Sequence, residues 1–464
     1  MDWISPDLPD VPESFLNKLR ISRFVGEILF RRGYTTVEGA KAFLFEDAYT
    51  PTAAAEISGL STGVKLVGSA IREKKKIGVW GDFDVDGQTS TALLVSAFER
   101  LGGNVVFHVP VRAAESHGIN LPNLKRMLAQ GVEILVTCDT GISALEEVEF
   151  AKSQGVEVVL TDHHDIPDAL PRADAIINPS MLDERHPLFT LPGVGVAYKF
   201  VEQLYTDWGI AEEVTQYLDL VALGIVADVA AIIGDTRYLL QRGIRALHTT
   251  NRLGLKVLME RAGVNQENLN EEDIGFSLAP RLNALGRLGD ANVIVEFLTT
   301  TNESRVRVIA EQLEGLNAKR KLLTSQVYQA AEDQIYAEPL LNKASVLVLD
   351  GKEWPAGVVG IVASRIVEKY GKPTILLTTN NDGIYRGSAR SVEGCDITEA
   401  ITKCGDLLEG FGGHPMAAGL SLTSENLAAF RRCVDKTVQS QLGDKEDKSG
   451  QYDKLVSLDE VSMS

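Results

Sequence analysis

The sequence has no pair of cysteines at the C-x-x-C spacing of a zinc ribbon or a redox site. Its four cysteines, Cys138, Cys395, Cys404 and Cys433, are scattered, which predicts reduced thiols and no thiolate metal site. No apolar run approaches the ~18 residues that span a bilayer, so no membrane contact is expected. The opening MDWISPDLPDVPES carries neither the basic start nor the apolar core of a secretory signal, and the expected location is cytoplasmic. There is no G-x-x-x-x-G-K-[ST] loop for ATP and no G-x-S-x-G elbow for a nucleophilic serine. GVGVAY at 193–198 begins like a dinucleotide fingerprint, but Tyr198 stands where the third glycine belongs and no strand precedes it. Basic charge is also short. Lys and Arg number 46 against 64 Asp and Glu, a net charge of −18, which opposes non-specific attraction to nucleic acid without excluding a local basic groove.

What the sequence does have is acid at close spacing. In KIGVWGDFDVDGQTST, Asp82, Asp84 and Asp86 alternate and are followed by Gly87. A calcium loop of the EF-hand type would need a Glu at its twelfth position, which here is Leu93, and would lie between two helices. Instead KIGVW reads as a buried strand and TSTALLVSAFERLGG as a helix, so the carboxylates sit where a strand ends and a helix opens.

Strand and helix patterns then alternate. KIGVW, NVVFHVP, EILVTCD, VEVVLTDHH and DAIINPS read as strands, with helices such as ISALEEVEFAKSQG between them. The pattern predicts an α/β fold with a mostly parallel sheet covered on both faces. Residues 1–60 read as a helical lead-in and 61–300 as the sheet domain with a helical second half. Residues 301–337 lack proline and form one long connecting helix; 338–436 form a smaller α/β domain. The tail 437–464 is a polar linker whose last residues start an element that is not completed.

Three further sites join the acidic cluster: Asp139 in VTCDTGIS, His163 and His164 in LTDHHD, and Asp228 in GIVADVA. The clusters at 82–86, 139 and 163–164 follow strands of one sheet and should converge on its C-terminal edge. Each has a plainer reading alone: a strand-end Asp is most often a helix N-cap. Six possible ligands, Asp82, Asp84, Asp86, Asp139 and Asp228 with an imidazole of the pair, exceed the need of one ion and suit two Mn²⁺ or Mg²⁺. Adjacent side chains of an extended segment point to opposite sides, so at most one of His163 and His164 is expected on a given metal, which leaves the other free to face substrate. Asp162 is the expected partner that orients an imidazole. In IYRGSARS, Arg386, Ser388 and Arg390 share one strand face and suit a phosphate track. GFGGHP offers backbone N–H groups to an anion or forms a tight turn.

GDFDVDG, CDTG, TDHH and ADVA together resemble the motifs of the DHH phosphoesterase superfamily. APRLNALGRLGD and GGHPMAAGLSL are similar to its RecJ branch, the 5′→3′ exonucleases specific for single-stranded DNA, over about residues 60–435. The resemblance implies a DHH domain joined by a long helix to a DHH-associated domain. It implies metal ligation by Asp82, Asp84, Asp86, Asp139, His163 and Asp228, with His164, Asp82 and Asp139 as the catalytic set and His164 on the scissile phosphate. It assigns substrate binding to Arg281, Asn283, Arg287, Ser388, Arg390, Gly413 and His414. It further implies a monomer acting on single-stranded DNA in repair and recombination, with a single-stranded-DNA-binding protein and a helicase as partners. Phe83 stands where the family usually has Tyr, ESHGIN at 115–120 departs from the usual glycine-tyrosine-glycine form, and the chain stops where an OB-fold usually follows. A short-oligonucleotide or cyclic-dinucleotide phosphodiesterase is the alternative activity, and an inactive replication scaffold is disfavoured because no ligand is missing.

Overall fold

The structure is a computed structural model and describes residues 3–4, 9–111, 115, 118–338, 341–379, 383–443, 450–452 and 455–456. Five parallel strands form the first sheet: β1 (Lys76–Trp80), β2 (Asn104–His108), β3 (Ile134–Cys138), β4 (Glu157–Thr161) and β5 (Ala175–Ile177), in the order β2-β1-β3-β4-β5. The alternation along each strand explains why both faces are covered. Ile77, Val79, Ile134, Val136 and Val159 enter one core, while Trp80, Leu135, Val158 and Leu160 enter another on the opposite face. Burying two faces of a parallel sheet leaves only its strand ends open to solvent.

Four helices matter for the site. α1 (Val85–Arg100) leaves β1, and α2 (Gly193–Asp207) and α3 (Leu218–Ala227) pack on it within the larger core. α4 (Ala279–Leu288) follows a π-helical stretch at Asp273–Leu278. The lead-in helices Glu13–Leu19, Arg23–Arg31 and Val37–Leu44 have their own small core. Just beyond them the chain is fastened to the sheet domain through buried Asp235, which accepts hydrogen bonds from Tyr49 Oη (2.7 Å) and Thr52 Oγ1 (2.8 Å). Fully buried Lys199 neutralises Asp235 at 3.1 Å, as an ion this deep requires.

α5 runs unbroken from Glu303 to Ala337 and leads to the second sheet. That sheet contains β6 (Leu347–Lys352), β7 (Thr374–Thr379), β8 (Ile384–Arg390), β9 (Gly410–His414) and β10 (Ala417–Thr423), ordered β9-β10-β8-β7-β6. β6 and β7 are parallel, linked by α6 (Ala356–Tyr370), and the remaining pairs are antiparallel.

Three expectations change here. GFGGH forms the edge strand β9 of a hairpin with β10, where the sequence suggested backbone N–H groups open to an anion or a tight turn. Its backbone amides are therefore partly committed to the ladder, and its side chains are exposed. Cys404 and Cys433 form a disulfide across a Cα separation of 6.1 Å, so the reading of four reduced thiols fails for this pair. Their separation of 29 residues carried no signal; helix packing in the second domain brought them together. The last helix, Leu427–Leu442, runs through the boundary placed at 436 because Phe430, Val434 and Val438 repeat every four residues and are all buried. Much of the tail 437–464, and Ser116 and His117 of ESHGIN, lie outside the described residues.

Candidate metal centre and strand-binding face

β1 delivers the acidic cluster, and the local geometry divides its labour. Asp84 is the N-cap of α1, accepting a hydrogen bond from Gly87 N at 3.1 Å, which leaves its other oxygen for a further ligand. Gly87 lies in the first turn of α1, where a Cβ would fall 2.5–2.7 Å from the backbone of Asp82. Only glycine lets the strand exit fold so tightly over the helix start. Asp86 is buried, and its two oxygens accept from Val194 N (2.8 Å) and Gly193 N (2.6 Å) at the N-terminus of α2. The GVGVAY segment is thus no cofactor loop. It is a helix N-terminus whose positive end holds a buried carboxylate, an arrangement worth about 1.5–3 kcal/mol per charge-assisted bond.

Asp139 follows β3 with φ +62°, a left-handed conformation that costs about 1–3 kcal/mol and is retained where function fixes a side chain. Val229, next to Asp228, is likewise at φ +60°. Asp228 itself terminates α3. His163 and His164 follow β4.

These groups converge in three overlapping sets, each with ligand atoms within 4.8 Å of one another: Asp82, Asp84 and Asp139; Asp86, His163 and Asp228; and Asp139, His163 and His164. All six sequence-derived ligands therefore lie together, with Asp139 and His163 shared between sets. The donor chemistry fits hard divalent cations. A second observation supports the fit. Asp139 Oδ1 is buried and accepts no hydrogen bond, although His163 Nε2 lies 3.0 Å away. Burial drives the His163 pKa down to about 4, with the nearby His164 charge adding to the effect, so at neutral pH the ring is uncharged and one of its nitrogens is a lone pair. The 3.0 Å between His163 Nε2 and Asp139 Oδ1 matches adjacent ligands on an octahedral ion, about 3 Å apart.

The electrostatics agree. Burial pushes Asp86 and Asp139 well above the usual carboxylate range, and neighbouring carboxylates push further: Asp228 and Asp84 on Asp86, and Asp86, Asp84 and Asp82 on Asp139. Asp228 is raised to about 7 by burial and then by Asp84. A raised carboxyl holds protons in the folded chain, so a cation must displace them. Titration calorimetry in buffers of different ionisation enthalpy should show Mn²⁺ binding releasing about one proton or more per chain near pH 7. Mn²⁺ affinity should climb between pH 6 and 8, and binding without proton release would contradict the arrangement.

His163 and His164 do not point apart. Their ring centroids lie 4.5 Å from each other. The strand ends at Thr161, and Asp162 Oδ1 then accepts from both His163 N (2.8 Å) and His164 N (3.2 Å), bending the backbone so that alternation no longer holds. The same oxygen meets His164 Nδ1 at 2.7 Å, and Asp162 Oδ2 accepts from Ile142 N at 2.8 Å. The imidazole that Asp162 orients is that of His164. Burial opposes its charge, but the Asp162 hydrogen bond and charge outweigh it and raise its pKa to about 9. His164 is thus an imidazolium whose Nε2 is left for another acceptor. Asn178 and Ser180, which the sequence reading passed over, fix this turn by donating to the carbonyls of His164 (2.9 Å) and His163 (2.8 Å). The NPS following the fifth strand was their only signal.

The proposed strand contacts occupy several elements around this edge. α4 presses on the metal loop so closely that a Cβ on Gly286 would lie 2.1 Å from Phe83 O. Arg287 Nη1 donates to Gly357 O at 3.1 Å, joining the two domains, and Asn283 is half-buried on the same helix. Arg281 is held by Glu314 of α5 (2.6 Å) and by Ser277 O (2.7 Å). Ser388 and Arg390 alternate along β8 and lie against Gly360 of α6, with Arg390 Nη2 3.0 Å and Ser388 Oγ 3.5 Å from where its Cβ would be. Gly413 lies in the exposed strand β9, and His414 at its end meets Asp165, next to the histidine pair, at 3.1 Å. ESHGIN builds something else in part: Glu115 accepts from Val111 N (3.1 Å) and contacts His108 Nε2 (3.0 Å), lining a cleft of about 800 Å³ at the end of β2.

A metal-binding sheet edge facing a second α/β domain defines a class, the DHH proteins. Residues 76–225 match the DHH family, N-terminal domain, and 343–440 match the DHHA1 domain. Among characterised relatives, the single-stranded-DNA-specific exonuclease RecJ of Escherichia coli strain K12 is 39% identical over 411 residues, covering 83% of this chain and 70% of that protein. The RecJ of Bacillus subtilis strain 168 is 35% identical over 441 residues, covering 94% of this chain. Crystal structures of Thermus thermophilus RecJ superpose with TM-scores of 0.84 for the Mn²⁺ complex (28% identity) and 0.77 for the Mg²⁺ complex (27% identity). Each covers 97% of this chain, and 64% and 62% of the respective crystallised chain. The chain belongs to the RecJ family, and it spans 55% of the length of the Bacillus subtilis relative. Among the described residues, no helix is long and apolar enough to cross a membrane.

Proposed function

We propose that this chain is the catalytic core of a metal-dependent phosphodiesterase that degrades single-stranded DNA exonucleolytically in the 5′→3′ direction. The observation that carries the reading is the shared position of Asp139 between two carboxylate and imidazole sets, with an oxygen that no hydrogen bond satisfies. Asp82, Asp84 and Asp139 would hold one ion, and Asp86, His163 and Asp228 the other. Bound there, Mn²⁺ or Mg²⁺ supplies an activated water and neutralises charge on the phosphoryl oxygens.

The protein's own groups do the rest. Asp162 keeps His164 protonated and aimed, so its Nε2 donates to a phosphate oxygen as negative charge develops there. The N-terminus of α2 fixes Asp86, and with it the spacing of the ligand sets. Arg281, Asn283 and Arg287 on α4, with Ser388, Arg390, Gly413 and His414 of the second domain, would hold the strand on the opposite side. We assign the protein to the cytoplasm and to repair and recombination, with a single-stranded-DNA-binding protein and a helicase as partners. RecJ relatives named as single-stranded-DNA-specific exonucleases support the substrate.

Digestion of a long single strand labelled at either end, with and without Mn²⁺, tests the reading. The 5′ label should be released first and only with metal, and a fully paired duplex should resist. Hydrolysis confined to dinucleotides, or release from the 3′ end, would overturn it.

A further inference from the structure

Gln88, at the end of the first turn of α1, is fully buried, and neither the ligand sets nor the strand contacts use it. Its backbone N–H donates to Asp84 O at 2.8 Å and its side-chain Nε2 to Phe83 O at 2.7 Å. One residue thus holds two successive carbonyls of the metal loop. The reverse orientation of the amide would set two oxygens against each other, which fixes Nε2 on Phe83. The remaining atom, Oε1, is buried and accepts no hydrogen bond from the described residues. An amide buried with one end unpaired is unfavourable, and an apolar side chain of the same shape would avoid that cost. What glutamine supplies here, and methionine would not, is the N–H donated to Phe83.

The same carbonyl is confined from its other side by α4. A Cβ on Gly286 would lie 2.1 Å from Phe83 O and 3.1 Å from Gln88 Nε2, so helix, carbonyl and amide meet at one point. The next residue of α4, Arg287, makes a close contact with the second domain. A Cβ on Gly357 of α6 would fall 2.8 Å from Arg287 O, and Arg287 Nη1 donates to Gly357 O at 3.1 Å. Two successive residues of α4 therefore touch the metal loop and the second domain. Phe83 stands between Asp82 and Asp84, which share a ligand set with Asp139. Displacing its carbonyl turns the planar peptide that joins it to Asp84 and carries the neighbouring carboxylates with it.

We propose that Gln88 and Gly286 are positioning residues of the metal centre: together they clamp the Phe83 carbonyl and so fix the placement of Asp82 and Asp84. Through Arg287 and Gly357 the clamp ties that placement to the second domain. The inference rests on the proposed metal site and deepens it. Removing the Gln88 donor releases the carbonyl, and a methyl group at Gly286 drives it away. Both changes act on one oxygen, so their effects should not multiply.

The test compares wild type with Gln88→Met, Gly286→Ala and the double variant. Three quantities are measured: Mn²⁺ affinity by titration calorimetry without DNA, kcat and KM on a single strand at saturating Mn²⁺, and melting of the metal-free chain. Gln88→Met should bind Mn²⁺ about tenfold more weakly, as for other residues that orient ligands. Its kcat should fall about tenfold with KM within about twofold of wild type, because the loss lies in placement and not in strand binding. Its metal-free melting temperature should stay within about 3 °C of wild type, since the shape is kept. Gly286→Ala should lose Mn²⁺ affinity and kcat in the same way, and the double variant should be no worse than the weaker single one. A Gln88→Met chain with wild-type Mn²⁺ affinity and kcat would sink the proposal, even if it melts lower, because a purely structural role gives that result. A raised KM at unchanged kcat, or losses that multiply in the double variant, would also overturn it. Should Gly286→Ala fail to fold, Gln88→Met decides alone. A wild-type chain that binds no Mn²⁺ would instead remove the metal-site reading beneath it.

Discussion

Asp139→Asn should lower Mn²⁺-dependent hydrolysis of a single strand by about 10³-fold or more while leaving the fold intact. Asp139 belongs to two of the three ligand sets, and its buried oxygen has no competing hydrogen bond. Replacing that oxygen's charge would remove a ligand of the ion proposed for Asp82 and Asp84, 3.0 Å from the His163 nitrogen proposed for the other ion. Stability should move the other way. Burial and the surrounding carboxylates raise the Asp139 pKa, so the folded chain binds its proton more tightly than the unfolded chain does. For a raised carboxyl, stability is lost as pH rises through the range above the unfolded value. An asparagine has no such cost, so the metal-free variant should melt at or above the wild-type temperature at pH 8. It should also lose most of the stabilisation that Mn²⁺ gives the wild type. Wild-type activity in the purified variant would refute the metal-site assignment.

Asp162→Asn tests the second layer of the site. Despite burial, which acts to raise it, the Asp162 carboxyl lies below its usual range, chiefly through the His164 hydrogen bond and charge. A depressed carboxyl contributes stability that is present above its unfolded pKa and is lost as pH falls through the folded one. Asparagine offers one oxygen where the native group accepts from Ile142 N, His163 N, His164 N and His164 Nδ1. We expect destabilisation of about 2–4 kcal/mol, from losing charged hydrogen bonds and leaving a buried donor unpaired. Activity should fall about 10–100-fold, as for other residues that orient ligands. The decisive readout is His164 itself. In the metal-free wild type, NMR should find its pKa near 9, and in the variant it should return toward the ordinary histidine value. A His164 pKa unchanged by the substitution would leave Asp162 as a structural residue only.

The sequence carried the sheet and the grouping of the acidic and histidine side chains well, because both depend on short-range pattern. Apolar strands of five residues followed by helices can pack only as a covered parallel sheet, and its C-terminal edge gathers whatever the strand ends carry. Asp82 to Asp86, Asp139 and His163 sit directly after strands and were legible for that reason. The unbroken α5 was legible from its lack of proline.

Other features depend on contacts between distant segments. Alternation put His163 and His164 on opposite sides, but the Asp162 carboxylate bent the chain and brought the rings together. GVGVAY was recognisable as something other than a nucleotide loop, yet its grip on Asp86, over a hundred residues earlier, exists only once α2 packs beside α1. Cys404 found Cys433 through helix packing alone. By itself the sequence determined the parallel sheet, the six candidate ligand positions and the class of metal their chemistry suits, because backbone periodicity and ligand chemistry are local. Only the tertiary structure decided which candidate ligands are shared between sets and which histidine Asp162 charges, because those depend on through-space distance and burial.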